Sequence, residues 1–153
     1  MKRINTILYF DTVGNVIVVP CLQAPAGFGI ASCKFIKLQN GYTKEELAEA
    51  IMKALEISFM NEQEDDSGDF WTEATGIKGF AAFSRKHRSV SIYHIQEKEG
   101  YDITAEKRYP DGSYGVDSDN YSMRVKTYPG KPVKETIADQ VLEALRLVEE
   151  LED

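Results

Sequence analysis

The stretch Lys44-Glu45-Glu46-Leu47-Ala48-Glu49-Ala50-Ile51-Met52-Lys53-Ala54-Leu55-Glu56 returns 90 residues later as Lys134-Glu135-Thr136-Ile137-Ala138-Asp139-Gln140-Val141-Leu142-Glu143-Ala144-Leu145-Arg146. Five of the 13 positions are identical, and four more exchange one aliphatic or one acid for a near equivalent. Leu47, Ile51, Leu55 and Phe59 recur every four residues, as do Ile137, Val141 and Leu145, so each copy is an amphipathic helix with one face to bury. Each also follows an alternating segment, Cys33 to Leu38 and Met123 to Tyr128, which reads as a strand. The pattern predicts two strand-then-helix halves, about 1–60 and 77–153, around one core and joined by an acidic connector at 61–69. Duplication and the chance likeness of two helices rich in Ala, Leu, Glu and Lys explain the match equally well, and both give helices.

At 153 residues the chain fits a single domain, 1–153, large enough to bury a core without disulfides or a structural metal. Hydrophobic content of 42 % and charged content of 28 % are those of a soluble globular protein, and no apolar run approaches the roughly 18 residues of a membrane helix. The N-terminal Met1-Lys2-Arg3-Ile4-Asn5 breaks into Tyr9, Asp11 and Gly14 and so lacks the apolar stretch of a signal peptide. The expectation is a cytoplasmic protein without membrane contact. Cys21 and Cys33 are the only cysteines, and in a reducing compartment they read as packing thiols. A net charge of −7 argues against nucleic-acid binding and for a basic partner. Residues 1–76 carry net −5 and residues 77–153 net −2, so the first half holds most of the field.

Along the chain, Ile4–Phe10 and Asn15–Val19 flank a Gly14-Asn15 turn and read as a hairpin, with Pro20 ending its second strand. A third strand is expected around Ser32–Leu38. Thr43 and Glu46 form a capping box that starts the first helix at Lys44, and its stripe runs out near Met60. After the connector, Gly79–Phe83 and Ser89–Ile95 read as a hairpin around a turn at Ser84–Arg88. Tyr101–Tyr109 alternates as a strand into the turn Tyr109-Pro110-Asp111-Gly112. Pro132 suits the first turn of the final helix. Strands outnumber helices, and the class is α+β: an antiparallel sheet with two amphipathic helices.

Motifs for chemistry are sparse. His87, among Arg85, Lys86 and Arg88, reads as a surface turn histidine, and His94, on a strand face with Val90 and Ile92, as a partly buried, hydrogen-bonded imidazole. Neither stands at metal-ligand spacing, and no zinc, glycine-rich or nucleophile-elbow pattern occurs. No metal or cofactor is expected. The acidic run and Asp117-Ser118-Asp119-Asn120 lack the spacing of a calcium loop. What remains is a surface: Glu62, Glu64, Asp65, Asp66 and Asp69 lie directly before Phe70 and Trp71, pairing steering charge with aromatic anchors. Phe70 and Trp71 serve equally as core residues opening a strand. Glu149, Glu150, Glu152 and Asp153 oppose the dipole of the last helix, which favours an acidic surface with a use.

The leading hairpin, the helix Glu46-Leu47-Ala48-Glu49-Ala50-Ile51 with Ala54, Leu55 and Ser58, the segment Gly76-Ile77-Lys78-Gly79-Phe80, and the last helix with Ile137, Ala138, Val141, Ala144 and Leu145 resemble the CdiI-type immunity proteins of contact-dependent growth inhibition systems. The resemblance implies a cytoplasmic, non-enzymatic bacterial protein that binds the C-terminal toxin domain of a cognate CdiA-like effector. Many such toxins are nucleases with basic active surfaces, which an acidic partner would engage quickly. On this reading Glu62, Glu64, Asp65, Asp66, Asp69 and Trp71 are the expected contacts, chosen from charge. The alternative is a small acidic secretion chaperone that dimerises and holds an effector segment in an apolar groove. A third reading is an enzyme using carboxylates such as Asp102 and Glu106.

Overall fold

Residues 2–63, 68–116 and 120–152 are described by the computed structural model. The chain opens with an antiparallel hairpin, β1 (Arg3–Asp11) and β2 (Val16–Gln23). Its turn is fixed by Asp11, whose Oδ1 accepts from the backbone N–H groups of Val13, Gly14 and Asn15 at 2.8–3.0 Å. Two short strands, β3 (Gly29–Ala31) and β4 (Ile36–Leu38), share the outer edge of β2. The helix α1 (Lys44–Met60) follows, then two short helices, α2 (Phe70–Thr75) and α3 (Phe80–Ser84). The second half is β5 (His87–Ile95), β6 (Tyr101–Ala105), a small ribbon of β7 (Lys107–Arg108) and β8 (Tyr114–Gly115), the helical turn α4 (Tyr121–Arg124), β9 (Val125–Tyr128) and α5 (Lys134–Glu152). The main sheet runs β3-β2-β1-β5-β6-β9, antiparallel throughout, with β4 beside β3 on β2. This is the α+β class read from the sequence.

The strand pairing of the first half recurs in the second. Phe10↔Val16 and Val16↔Leu38 in β1, β2 and β4 correspond to His94↔Tyr101 and Tyr101↔Tyr128 in β5, β6 and β9. Advancing β1 by 84 (Phe10 to His94), β2 by 85 (Val16 to Tyr101) and β4 by 90 (Leu38 to Tyr128) reproduces every such pair but Asn5↔Cys21 at the far end of β1. The pair Ile7↔Ser91 is its own image, so the relation is two-fold about the centre of the sheet. The helices obey it too: Lys44 bonds Asp139 at 2.8 Å and Lys134 bonds Glu49 at 3.1 Å, the same pair of positions exchanged. Both pairs are exposed and contribute little to stability. What joins the helices is apolar packing around Leu47, Ala48 and Ile51 against Ile137, Ala138 and Val141, all buried.

One face of the sheet carries this core. Leu8, Val16, Val18, Val90, Ile92 and Ile103 point under α1 and α5. Thr43 Oγ1 accepts from Glu46 N–H and Glu46 Oε1 accepts from Thr43 N–H, both at 3.0 Å, which closes the expected capping box. At the other end Asn61 adopts the left-handed conformation (φ 55°) and pairs with the end of β2: its Oδ1 accepts from Gln23 N–H at 2.8 Å and its Nδ2 donates to Gln23 O at 3.1 Å. The opposite face is covered over part of its width by an aromatic layer, Phe70 of α2 and Phe83 of α3 on Tyr9. The Tyr109–Gly112 turn closes on α3 so tightly that a side chain on Gly112 would meet Ala81 Cα at 2.8 Å.

Four local expectations give way. Pro20 lies inside β2 rather than ending it: its carbonyl accepts from Ser32 N–H at 2.9 Å, so its missing N–H faces the break between β3 and β4 and no ladder bond is lost. That break also takes the first four residues of the strand expected over Ser32–Leu38 and leaves only Ile36–Leu38 as strand. Gly79–Phe83 is not a strand, because Phe80–Ser84 winds into α3 and directs Phe83 into the aromatic layer. Met123 precedes its strand, since α4 takes Tyr121–Arg124 to carry Arg124 inward. Arg124 is 2 % exposed; it donates to Ala105 O and to Glu152 Oε1 of α5. Glu152 therefore has a structural reason to sit at the helix end despite the dipole.

Ser58 links α1 to the sheet, donating to Cys21 O at 2.6 Å and accepting from Asn5 N–H at 2.9 Å in the core. Ser58→Ala strands both backbone groups without changing volume much. It should cost about 2 kcal/mol, read as a lower urea midpoint at unchanged slope.

Candidate functional site

The acidic stretch leaves and rejoins the fold at one place. Lys34 Nζ donates to Glu62 O at 3.4 Å and Cys33 Sγ to Gly68 O at 3.3 Å, so neighbouring residues hold both its ends. Glu62 and Asp69 are exposed there, at the foot of α1 and the entry to α2. Glu64, Asp65 and Asp66 lie outside the described residues. Trp71 is half-buried, edge-on to Phe70 and Phe80 at centroid distances of 5.3 and 5.2 Å, with its indole N–H directed to Lys78 O at 3.4 Å. It is thus a wall of the aromatic layer with one surface outward. Phe70, 2 % exposed, belongs wholly to that layer.

Behind the aromatic layer sits a cluster of buried and half-buried polar groups. Ser89 Oγ donates to Glu106 Oε1 at 2.8 Å, and Tyr114 Oη donates to His87 O at 2.7 Å. Burial raises the Glu106 carboxyl above its ordinary value, against the lowering effect of the Ser89 hydroxyl. Burial also raises the phenols of Tyr9 and Tyr114, the Glu106 charge acting in the same direction. His87 is not the surface turn residue expected from its basic neighbours. It opens β5, is 6 % exposed, stacks on Phe83 at 3.9 Å and bonds Phe83 O through Nδ1 at 2.7 Å. Its pKa is lowered, chiefly by burial and further by Lys86. Cys21 is buried, its thiol pushed up to about 12, and it forms no disulfide with Cys33. Asp102 accepts from Thr127 Oγ1 at 2.6 Å on the outer strands, away from Glu106 in the register. The two carboxylates are not brought together.

A groove that the sequence did not announce lies beside α1. About 760 Å³ in volume, it is walled by Ile4, Met52, Leu55 and Phe59, with Pro132 closing one end and His94 at its floor. Sequence reasoning assigned Leu55 and Phe59 to the stripe that packs on the sheet, and only Leu55 does so fully; Phe59 stays half-buried, as does Met52. The available signal was the width of that stripe, which exceeds what one sheet edge covers. His94 is 4 % exposed and hydrogen-bonded as expected, its Nδ1 3.0 Å from Gly100 O.

No protein-family model matches the chain, and no curated protein does. Solved structures do match. One is a protein of unknown function from Neisseria meningitidis, 13 % identical over 95 % of this chain and 94 % of that one, with a TM-score of 0.66. Another is a chain of the CdiA-CT/CdiI toxin and immunity complex from Yersinia pseudotuberculosis, 10 % identical over 96 % of this chain and 98 % of that one, with a TM-score of 0.63. At these identities the likeness is one of fold, and it extends end to end. The fold is therefore one that occurs in a toxin and immunity complex. No helix among the described residues is long and apolar enough to cross a membrane.

Because the folded chain holds a proton on Glu106 to higher pH than the unfolded chain does, this group's contribution falls as pH rises from the ordinary carboxylate range through the folded value. Glu106→Gln keeps an acceptor for Ser89 and removes the buried charge. Thermal midpoints measured from pH 4 to 8 should be higher for the variant at neutral pH and should converge toward wild type on the acid side.

Proposed function

We propose that this chain is a non-enzymatic immunity protein that binds the C-terminal toxin domain of a CdiA-like effector in the cytoplasm and blocks it by occlusion. The observation that carries the reading is the end-to-end likeness of fold to a chain of a toxin and immunity complex. The charge supports it: a net −7 protein with exposed Glu62 and Asp69 beside the half-exposed Trp71 suits a basic partner such as a nuclease. In this reading Glu62, Glu64, Asp65, Asp66 and Asp69 steer the encounter and Trp71 lends an aromatic surface. A secretion chaperone is the second reading, favoured by the open apolar groove beside α1.

Tagged protein incubated with lysate of its host should retain a folded, basic C-terminal fragment of a very large surface protein, released by high salt. An extended effector segment held by a dimer would instead select the chaperone. With the captured toxin domain in hand, Asp65→Lys/Asp66→Lys should slow association at least tenfold at low salt and leave dissociation nearly unchanged. Unaltered association would remove the acidic stretch from the interface.

A further inference from the structure

The two-fold relation pairs the groove beside α1 with a twin beside α5, and the two are furnished differently. The shifts that map one half on the other carry Phe10 to His94 and Tyr42 to Pro132. In the twin, lined by Phe10, Tyr42 and Leu145 among others, the chain's own Tyr42 packs against the core. In the first groove the corresponding residue is Pro132, which supplies no aromatic ring, and the space is about 760 Å³ against about 500 Å³ in the twin. His94 replaces Phe10 at the floor. Gly100 O can only accept, so the proton of neutral His94 sits on Nδ1, and Nε2 is left as an acceptor. Nε2 has no partner among the described residues, and the ring lines the groove. The lining carries both signs: Lys53, Lys131 and Glu56 are part of it, while Lys134 is already bonded to Glu49.

We propose that this groove is the anchor pocket for an aromatic side chain tipped with a hydrogen-bond donor, a tyrosine or tryptophan, presented by the protein partner. The identity of that partner as a toxin domain rests on the immunity reading above; the pocket and its chemistry do not. Apolar walls with one acceptor at the floor match a ring whose polar tip is a donor. The Met52 thioether is a favourable neighbour for an aromatic face. A carboxylate would meet a lone pair on Nε2, and an ammonium would lose its hydration among Ile4, Leu55 and Phe59, so a neutral occupant is selected. In the twin groove a phenol of the chain itself, Tyr42, lines the wall at the position corresponding to Pro132.

The test uses the full chain with p-cresol and 4-methylanisole, two probes of one shape that differ in the donor. In NMR titrations p-cresol should shift His94 ring and Met52 methyl resonances and bind about fivefold more tightly than 4-methylanisole, the ratio one hydrogen bond commands. His94→Phe should make the two equal. Met52→Trp, which fills the groove from half-exposed helix surface, should abolish both and weaken capture of the toxin domain at least tenfold while keeping the wild-type melting profile. Equal affinity of the two probes for the wild type, or shifts confined to other residues, would overturn the pocket chemistry even if His94→Phe failed to fold. Undiminished toxin capture by folded Met52→Trp would overturn the anchor role while leaving the immunity reading intact. Failure of the wild type to capture any toxin would instead sink the immunity reading, and the probe ratio would still decide the pocket.

Discussion

Everything in this molecule depends on the pairing of β1 with β5, nine residues long from Arg3↔Ile95 to Asp11↔His87. Without it each half is a three-stranded sheet with one helix, too little to bury the apolar side of either. With it, Leu8, Val90 and Ile92 become the middle of one surface on which both helices sit, and Leu47 of one helix meets Ile137 of the other across the two-fold. The small side chains of Ala48 and Ala138 lie at that contact and let the helices approach closely. The exposed ion pairs above them set register more than they add stability.

The two-fold is kept where the core requires it and abandoned where the surface does not. Both helices bury Leu47, Ala48, Ile51 and Ala54 or their counterparts Ile137, Ala138, Val141 and Ala144, yet Ser58 on α1 ties β1 and β2 together while its counterpart on α5, Val148, is plain core. The aromatic layer on the far face is built chiefly by the insert between the halves, α2 and α3, and among the described residues no second such layer covers the other half. Arg124 is the counterweight there: a buried guanidinium that holds β6, α4 and the end of α5 through Ala105 O and Glu152. Such departures leave the groove beside α5, about 500 Å³, lined by Phe10 and Tyr42, and the one beside α1, about 760 Å³, lined by His94 and Pro132.

Both long helices were legible from the chain because several independent signals agree on each. Thr43 and Glu46 cap the first, a stripe at intervals of four residues carries it to Met60, and Pro132 sits just before the second. The first hairpin was legible because Asp11 through Asn15 carries its own turn chemistry. Phe80–Ser84 was not, because five residues are too few to show a helical period and Phe, Ala and Phe also suit a strand. Pro20 misled for a different reason: a proline is excluded from a sheet only where its N–H would be needed, and that depends on where β3 and β4 stop. Of the candidate surface, the charge of Glu62 and Asp69 could be read directly. The half-burial of Trp71 and the groove at Met52 and Phe59 could not, since both follow from how widely the helices and sheet part.

The same central seam has a cost in time. Its partners are separated by 76 to 92 positions along the chain, from Asp11↔His87 to Arg3↔Ile95. At synthesis rates of about 5–20 residues per second, β1 waits roughly four to twenty seconds on the ribosome for β5 to emerge. Throughout that interval the β1–β2 hairpin offers an unpaired edge and an apolar face to whatever else is present, and closure of so distant a contact is intrinsically slow once the chain is complete. A newly made copy therefore completes its sheet late, and until then the finished pool of older copies is what carries the folded surface.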